Sequence, residues 1–269
     1  MGKTYPALDV RCEDTGILLA TVDDCSPTAV EERRDAVRVF FSRSADRDAA
    51  RRVLASGYSA AVVDVPDEDW ARRSQENLHP IAIGRLTIFP NPESRIPDPC
   101  SIAIPPSMAF GTGHHVTTQL CLEALQAIDL ANSTVLDVGT GSGVLSIAAV
   151  RLGAVRALGI DVDDDAICAA RENLTFNPEV VPRVSFEVND VSSCSTLGFV
   201  PDVLTANLTG ALLARSASTL QDAVRPGGTL ILSGLQIDER DGVERAFTAA
   251  TTTWERTADT WVALMMKKS

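Results

Sequence analysis

Val135-Leu-Asp-Val-Gly-Thr-Gly-Ser-Gly-Val-Leu-Ser-Ile-Ala-Ala149 decides how this chain folds. Its first four residues are apolar enough for a strand buried on both faces. Gly139, Gly141 and Gly143 follow, and an apolar-periodic helix begins directly after them. Glycine lets a backbone turn sharply and approach a ligand with no Cβ in the way. A helix that starts there offers free N–H groups to the same ligand. The stretch therefore predicts a nucleotide-type ligand at the carboxyl end of a parallel strand.

The regular pattern extends outward from this stretch. Strands are expected at Thr134–Val138, Arg156–Asp161, Val184–Val188, Asp202–Ala206 and Thr229–Ser233. Helices are expected at Gly143–Leu152, Asp164–Phe176, Thr209–Val224 and Asp238–Ala250, with another from Thr117 to Ile128 ahead of the first strand. This β-α alternation predicts an α/β fold with a parallel sheet covered on both faces. Thr253–Arg256 and Trp261–Met266 read as a closing hairpin.

Upstream, residues 1–65 read as a small α+β domain. Strands are expected at Gly16–Val22, Val37–Phe41 and Ala60–Val65, and helices at Pro27–Val37 and Arg47–Ser56. Prolines at 66, 80, 90, 92, 97 and 99 mark residues 66–100 as a linker carrying short strands at Ile81–Ile83 and Leu86–Phe89. Residues 101–269 form the expected catalytic domain.

Composition narrows the function classes. The chain has 269 residues, 45% of them hydrophobic, as in ordinary soluble domains. It has no apolar run of about 18 residues and no secretory pattern at MGKTYPALDV, so a cytoplasmic protein without a membrane span is expected. Six cysteines, none at C-x-x-C spacing, predict buried thiols rather than a zinc site. The net charge of −12 is spread over both regions: 13 basic and 17 acidic residues lie in 1–100, the remainder in 101–269. Such a surface either serves solubility alone or attracts a basic partner, and in both cases it counts against a nucleic-acid substrate. No interleaved basic and aromatic patch supports an RNA substrate.

The glycine spacing selects among nucleotides. A dinucleotide fingerprint needs glycine where Val144 stands, which disfavours a nicotinamide oxidoreductase. G-x-G-x-G is the spacing of class I (Rossmann-like) methyltransferases, whose donor S-adenosylmethionine has no pyrophosphate to cradle. Asp161 ends the second strand, 22 residues after Gly139, where a carboxylate can accept from both ribose hydroxyls. Asp190, after the third strand, either meets the adenine amino group or caps its own loop.

Ala109–Leu125 (AFGTGHHVTTQLCLEAL), Val135–Ala154, Gly159–Asn177, Ala206–Leu213 (ANLTGALL) and Arg225–Gly234 (RPGGTLILSG) together resemble the PrmA family. That family methylates protein eleven of the large ribosomal subunit. The resemblance implies that Thr118, Gly139, Asp161 and Asn207 bind cofactor and that Phe110, Gly111, Thr112 and Gly113 fold over it. It also implies an N-terminal substrate-recognition domain joined by a linker. His114, Val116, Leu208, Thr209 and Gly210 depart from the family's usual residues at their positions.

The implied chemistry is attack of a neutral amine, from a lysine or an N-terminus, on an activated methyl group, with no metal. Asn207, directly after the fourth strand, is the leading residue for orienting that amine through its side-chain oxygen, with the Leu208 carbonyl beside it. His115 is either a general base or, the favoured reading, a local hydrogen-bonding residue that orders the Gly111–Gly113 loop. His79 and Trp70 read as structural, and Phe110 as either a gate or packing. Three other functions fit the same motifs less closely: lysine methylation of another protein such as an electron-transfer flavoprotein subunit, RNA methylation, and a non-catalytic S-adenosylmethionine-binding module.

Overall fold

The computed structural model describes residues 4–12, 15–22, 25–33, 36–55, 57–66, 79–105, 113–198 and 200–269. They fall into two compact units that divide between Leu78 and His79.

The N-terminal unit runs β1 (Thr4–Arg11), α1 (Thr15–Val22), β2 (Pro27–Glu32), β3 (Val37–Phe41), α2 (Ser44–Leu54) and β4 (Ser59–Pro66). Its sheet is antiparallel in the order β2-β3-β1-β4. The β-α-β-β-α-β sequence of elements is a ferredoxin-like arrangement. Leu8 and Val10 of β1 and Val37, Val39 and Phe41 of β3 form one core with Leu18, Val22, Ala50 and Leu54 from the two helices.

Two expectations fail in this unit. Gly16–Val22, expected as a strand, lies in helix α1. A short continuous apolar run cannot be told from a buried helix by periodicity; the deciding feature is that Leu18 and Val22, four apart, are both fully buried. Pro27–Val37, expected as a helix, instead contains strand β2 and the start of β3. Proline opens this edge strand, where no ladder donor is required of it, and the register shifts between Pro27 and Ala29. Strand β1 carries no sequence-level expectation at all.

The C-terminal unit begins with β5 (Ile81–Ile83), β6 (Leu86–Phe89) and β7 (Ser101–Ala103), a small sheet in the order β5-β6-β7. The short strands expected within the linker are thus part of this unit. The remaining elements are α3 (Val116–Gln126), β8 (Thr134–Val138), α4 (Val144–Arg151), β9 (Arg156–Asp161), α5 (Asp164–Thr175), β10 (Val184–Val188), β11 (Val203–Asn207), α6 (Gly210–Ala223), β12 (Thr229–Gln236), α7 (Arg240–Ala246), β13 (Ala250–Ala258) and β14 (Trp261–Lys268). Their seven-stranded sheet has the order β10-β9-β8-β11-β12-β14-β13. β10, β9, β8, β11 and β12 are parallel, and β14 is antiparallel to both β12 and β13. This is the class I methyltransferase architecture expected from the sequence.

Alternate residues of each strand feed two separate cores. Val135, Ala157, Val203, Ile231 and Met265 meet the layer that holds α3, α4 and the small sheet. Leu136, Leu158, Leu204, Leu230 and Leu264 meet the layer that holds α6 and α7. Burial on both sides explains why these strands read as continuous apolar runs. Among the described residues no helix is long and apolar enough to cross a membrane.

Polar clamps fix the small sheet to the rest of the unit. The buried Asn177 side chain accepts from Ala103 N at 3.0 Å and donates to Ala103 O at 2.8 Å. Arg95 and Arg151 reach Glu179 at 2.7 and 2.6 Å. Partial burial raises the Glu179 pKa, but the hydrogen bond from Arg95 and the charge of both arginines outweigh it and bring the pKa down to about 2. The folded value lies below the usual 4.5, so this clamp stabilises fully above about pH 4.5 and is lost as pH falls toward 2. Thermal unfolding of Glu179→Gln should therefore show a lower Tm than wild type near neutral pH and a shallower fall between about pH 4.5 and 2.

Gly159 sits mid-strand in β9, where a Cβ would lie 2.5 Å from Thr140 Oγ1 and 2.6 Å from Phe186. Overpacking of this kind costs about 1–3 kcal/mol. Denaturant titration of Gly159→Ala should show that loss with an unchanged slope.

Candidate functional site

Parallel strands β8 and β11 are neighbours, yet the chain leaves them toward opposite sides of the sheet order: from β8 to β9 and from β11 to β12. A crevice opens at the carboxyl ends of two such strands, and ligands of open α/β sheets bind there. Gly139, Gly141, Gly143, Asp161, Asp190 and Asn207 lie at or just after the carboxyl ends of parallel strands β8, β9, β10 and β11.

The loop after β8 is held by its own backbone. Gly139 N and Thr140 N both donate to Ile160 O at 2.9 Å, and Gly143 N donates to Thr140 O at 2.9 Å. Gly139 has φ 71°, and a Cβ there would meet Leu208 Cδ2 at 2.5 Å. Gly143 caps α4 with φ 81°, and a Cβ would strike the Phe186 ring at 2.6 Å. Backbone conformation and close packing thus both require glycine at these two positions.

Asp161 stands at the tip of β9. Its Oδ2 accepts from Gly141 N at 2.9 Å and its Oδ1 from Asp163 N at 3.1 Å. Burial pushes its pKa above the usual carboxylate range, while the N–H groups of Asp163, Gly141 and Val162 pull it back. A carboxylate has about four acceptor positions, so these bonds leave accepting capacity for a ligand. Strand β10 pairs Val188 with Asp161 and brings Asp190 to the same tip. The Asp190 side chain accepts from Ser192 N at 2.8 Å and caps the short turn of helix Val191–Thr196. Of its two readings, the loop cap is the one visible in the fold. Hydrogen bonds from the Ser192 hydroxyl and N–H hold the Asp190 pKa below the usual carboxylate range.

Two residues from distant parts of the sequence meet on the other side of the crevice. Asn207 Nδ2 donates to Thr118 Oγ1 at 3.3 Å. Thr118 is buried in the first turn of α3, and Asn207 ends β11 half-buried. Because the amide nitrogen is engaged by Thr118, Oδ1 is left as the accepting end. Leu208 N donates to Ser233 O at 3.0 Å, which fixes the chain as it leaves the strand.

His115 hydrogen-bonds locally to Thr117. It caps α3, with Thr117 N 3.3 Å and Thr117 Oγ1 2.7 Å from Nδ1. Its ring meets Trp261 edge-on at 5.3 Å, and burial lowers its pKa below the ordinary histidine value. The His114 carbonyl accepts from Gln119 Nε2 at 2.9 Å, and both His114 ring nitrogens are buried without a hydrogen-bond partner. Gly113 has φ 93°, and a Cβ there would lie 2.4 Å from Ile88 Cδ1. Phe110, Gly111, Thr112 and Trp70 lie outside the described residues.

Three residues of this edge escape a reading by motif. Val162 is 71% exposed beside Asp161, and Val188 is 48% exposed at the end of β10. Apolar side chains left open at a strand tip suit a flat base, and an exposed valine directly after Gly-Ile-Asp is the signal. Gly234 follows Ser233 with φ 85°; a Cβ there would lie 2.4 Å from Leu208 O and 3.0 Å from Asn207 Oδ1. The two accepting oxygens thus border a space that only glycine keeps open. A small residue two short of the strand end is the trace it leaves in the sequence.

Similarity to known proteins covers nearly the whole chain. The family profile described as "Ribosomal protein L11 methyltransferase (PrmA)" matches residues 18–269. A ribosomal protein L11 methyltransferase of Aliivibrio salmonicida is 36% identical over 245 residues, 84% of this chain and 82% of that protein. The protein of that description from Vibrio cholerae is 35% identical over 256 residues, 87% of this chain and 84% of its own length. Among solved structures, a ribosomal protein L11 methylase from Lactobacillus delbrueckii subsp. bulgaricus superposes with a TM-score of 0.63 at 29% identity, over 71% of this chain and 99% of that one. This chain belongs to the ribosomal protein L11 methyltransferase family.

Proposed function

We propose that this protein transfers methyl groups from S-adenosylmethionine to amine nitrogens of ribosomal protein L11. The observation that carries the reading is the hydrogen bond between Thr118 and Asn207, which joins a helix to the strand beside the glycine loop. It sets an accepting oxygen at the edge of the crevice.

The residues suit the cofactor by position and chemistry. Gly139 leaves open a cradle that a side chain would fill against Leu208. The remaining accepting capacity of Asp161 takes the ribose hydroxyls, and Val162 and Val188 flank the base. Asp190, held at the same tip by Ser192, faces the adenine edge. Gly141, Gly143 and Thr118 complete the set. The cofactor, when bound, supplies a methyl group already activated on sulfur, so no covalent enzyme intermediate is needed.

The chain's own work is to hold a neutral amine in line with that methyl. A lysine amine has a pKa of about 10.4 and an N-terminal amine about 8. Desolvation at the crevice disfavours the charged form of either. Asn207 Oδ1 and Leu208 O accept the amine hydrogens, which leaves the nitrogen lone pair directed at the methyl. The small N-terminal unit serves substrate recognition, with residues 66–78 as its connection to the catalytic unit. The acidic surface attracts a basic ribosomal protein.

Three experiments test this reading. Titration calorimetry should show binding of S-adenosylmethionine and none of a nicotinamide dinucleotide; the reverse would remove the methyl-donor assignment. Asn207→Ala should retain measurable cofactor binding and lose about 100-fold or more in turnover on ribosomal protein L11, the scale of a misplaced reacting group. Unchanged turnover would remove Asn207 from the mechanism. Gly234→Ala should lose turnover comparably, because its methyl group enters the space beside Asn207 Oδ1 and Leu208 O.

A further inference from the structure

A buried polar cluster beneath the Thr118–Asn207 pair takes no part in the chemistry described so far. Its centre is Asp137 of β8, which is 0% exposed. Asp137 Oδ1 accepts from Thr205 Oγ1 at 2.6 Å. Asp137 Oδ2 accepts from Thr140 Oγ1 at 2.6 Å and from Ser146 Oγ at 3.0 Å. Thr140, Ser146 and Thr205 are all buried. A carboxylate taken out of water is costly unless its oxygens are bonded; here three hydroxyls offset part of that cost, and burial still holds the Asp137 pKa above its ordinary value.

The two oxygens serve different parts of the site. Oδ2 holds Thr140, in the middle of the glycine loop, and Ser146, in the first turn of α4. Oδ1 holds Thr205 in β11, two residues before Asn207. Residues two apart in a strand share a face, so the Thr205 tether acts on the face from which Asn207 projects. Asp137 and Thr205 are also direct partners across the β8–β11 ladder, at the point where the crevice opens. One side chain therefore spans the boundary between the cofactor half and the acceptor half.

We propose that Asp137 is a positioning residue that locks the cofactor loop and the acceptor strand in one register, with Oδ2 setting the loop and Oδ1 setting the strand that carries Asn207. A carboxylate suits the task because it only accepts. It turns all three hydroxyl protons inward at once. An amide at 137 keeps the size but brings a donor that one side of the cluster has to oppose. The inference rests on the proposed methyl transfer for its turnover readout and is independent of it for its binding readout.

Full-length Thr140→Val and Thr205→Val separate the two oxygens with little change of shape. Thr140→Val should raise the calorimetric Kd for S-adenosylmethionine about tenfold, and Thr205→Val by less than about threefold. With saturating cofactor, Thr205→Val should lower kcat on ribosomal protein L11 about tenfold, more than Thr140→Val does. Asp137→Asn should show both changes, and Thr205→Ser, which keeps the hydroxyl, should restore kcat. If Thr205→Val does not fold, Thr205→Ala takes its place. Equal changes in Kd for the two variants, or a serine variant as impaired as the valine one, would overturn the role of Asp137. Absence of transfer by the wild-type enzyme would instead overturn the assigned reaction, and the Kd comparison would then decide for Asp137 alone.

Discussion

The parting of β8 and β11 governs the rest of this structure. Two adjacent parallel strands end at the same edge, and the chain leaves them in opposite directions. No connection can then cover the gap between their ends, so the sheet has to carry a crevice there. The glycine loop lines one side because Gly139 and Gly143 bend where any side chain would collide with Leu208 or Phe186. Asn207 lines the other because β11 ends there and Gly234 leaves its oxygen uncovered. The crevice follows from topology, and a small number of side chains give it chemical meaning.

Those side chains act in tiers. Thr118 fixes the Asn207 amide, and His115 fixes the helix that carries Thr118 by capping its first turn. Trp261 packs edge-on against His115 from the antiparallel end of the sheet. Beneath them Asp137 gathers hydroxyls from the loop, the helix and the strand. A reacting geometry good to a fraction of an ångström needs such support from behind.

Legibility in the sequence followed burial. Strands β8 and β9 are buried on both faces, β10 alternates buried Val184 and Phe186 with polar Ser185 and Glu187, and all three are bounded by turn residues, so their limits could be read to the residue. Gly139, Gly141, Gly143 and Asp161 were visible because a tight loop and a strand tip leave fixed spacings. The N-terminal unit was harder. Leu18 and Val22 mark a helix only once their shared burial is known, and Pro27 reads as a helix start until its pairing with Phe41 places it in an edge strand. Val162 and Gly234 were missed because neither belongs to a spaced motif; each matters through what it leaves open. The Thr118–Asn207 contact joins residues 89 positions apart. The resemblance marked both residues, but only the fold shows that they touch.

The claim at the centre of this account is that the crevice presents an amine to an activated methyl group. It is tested most directly by incubating purified enzyme and ribosomal protein L11 with S-adenosylmethionine and weighing the substrate by mass spectrometry. The account predicts mass increments of whole methyl groups on lysine or N-terminal amines, lost when Asn207 is replaced by alanine. An unmodified ribosomal protein L11 beside an enzyme that binds S-adenosylmethionine, or methyl groups found on a different class of atom, would contradict it.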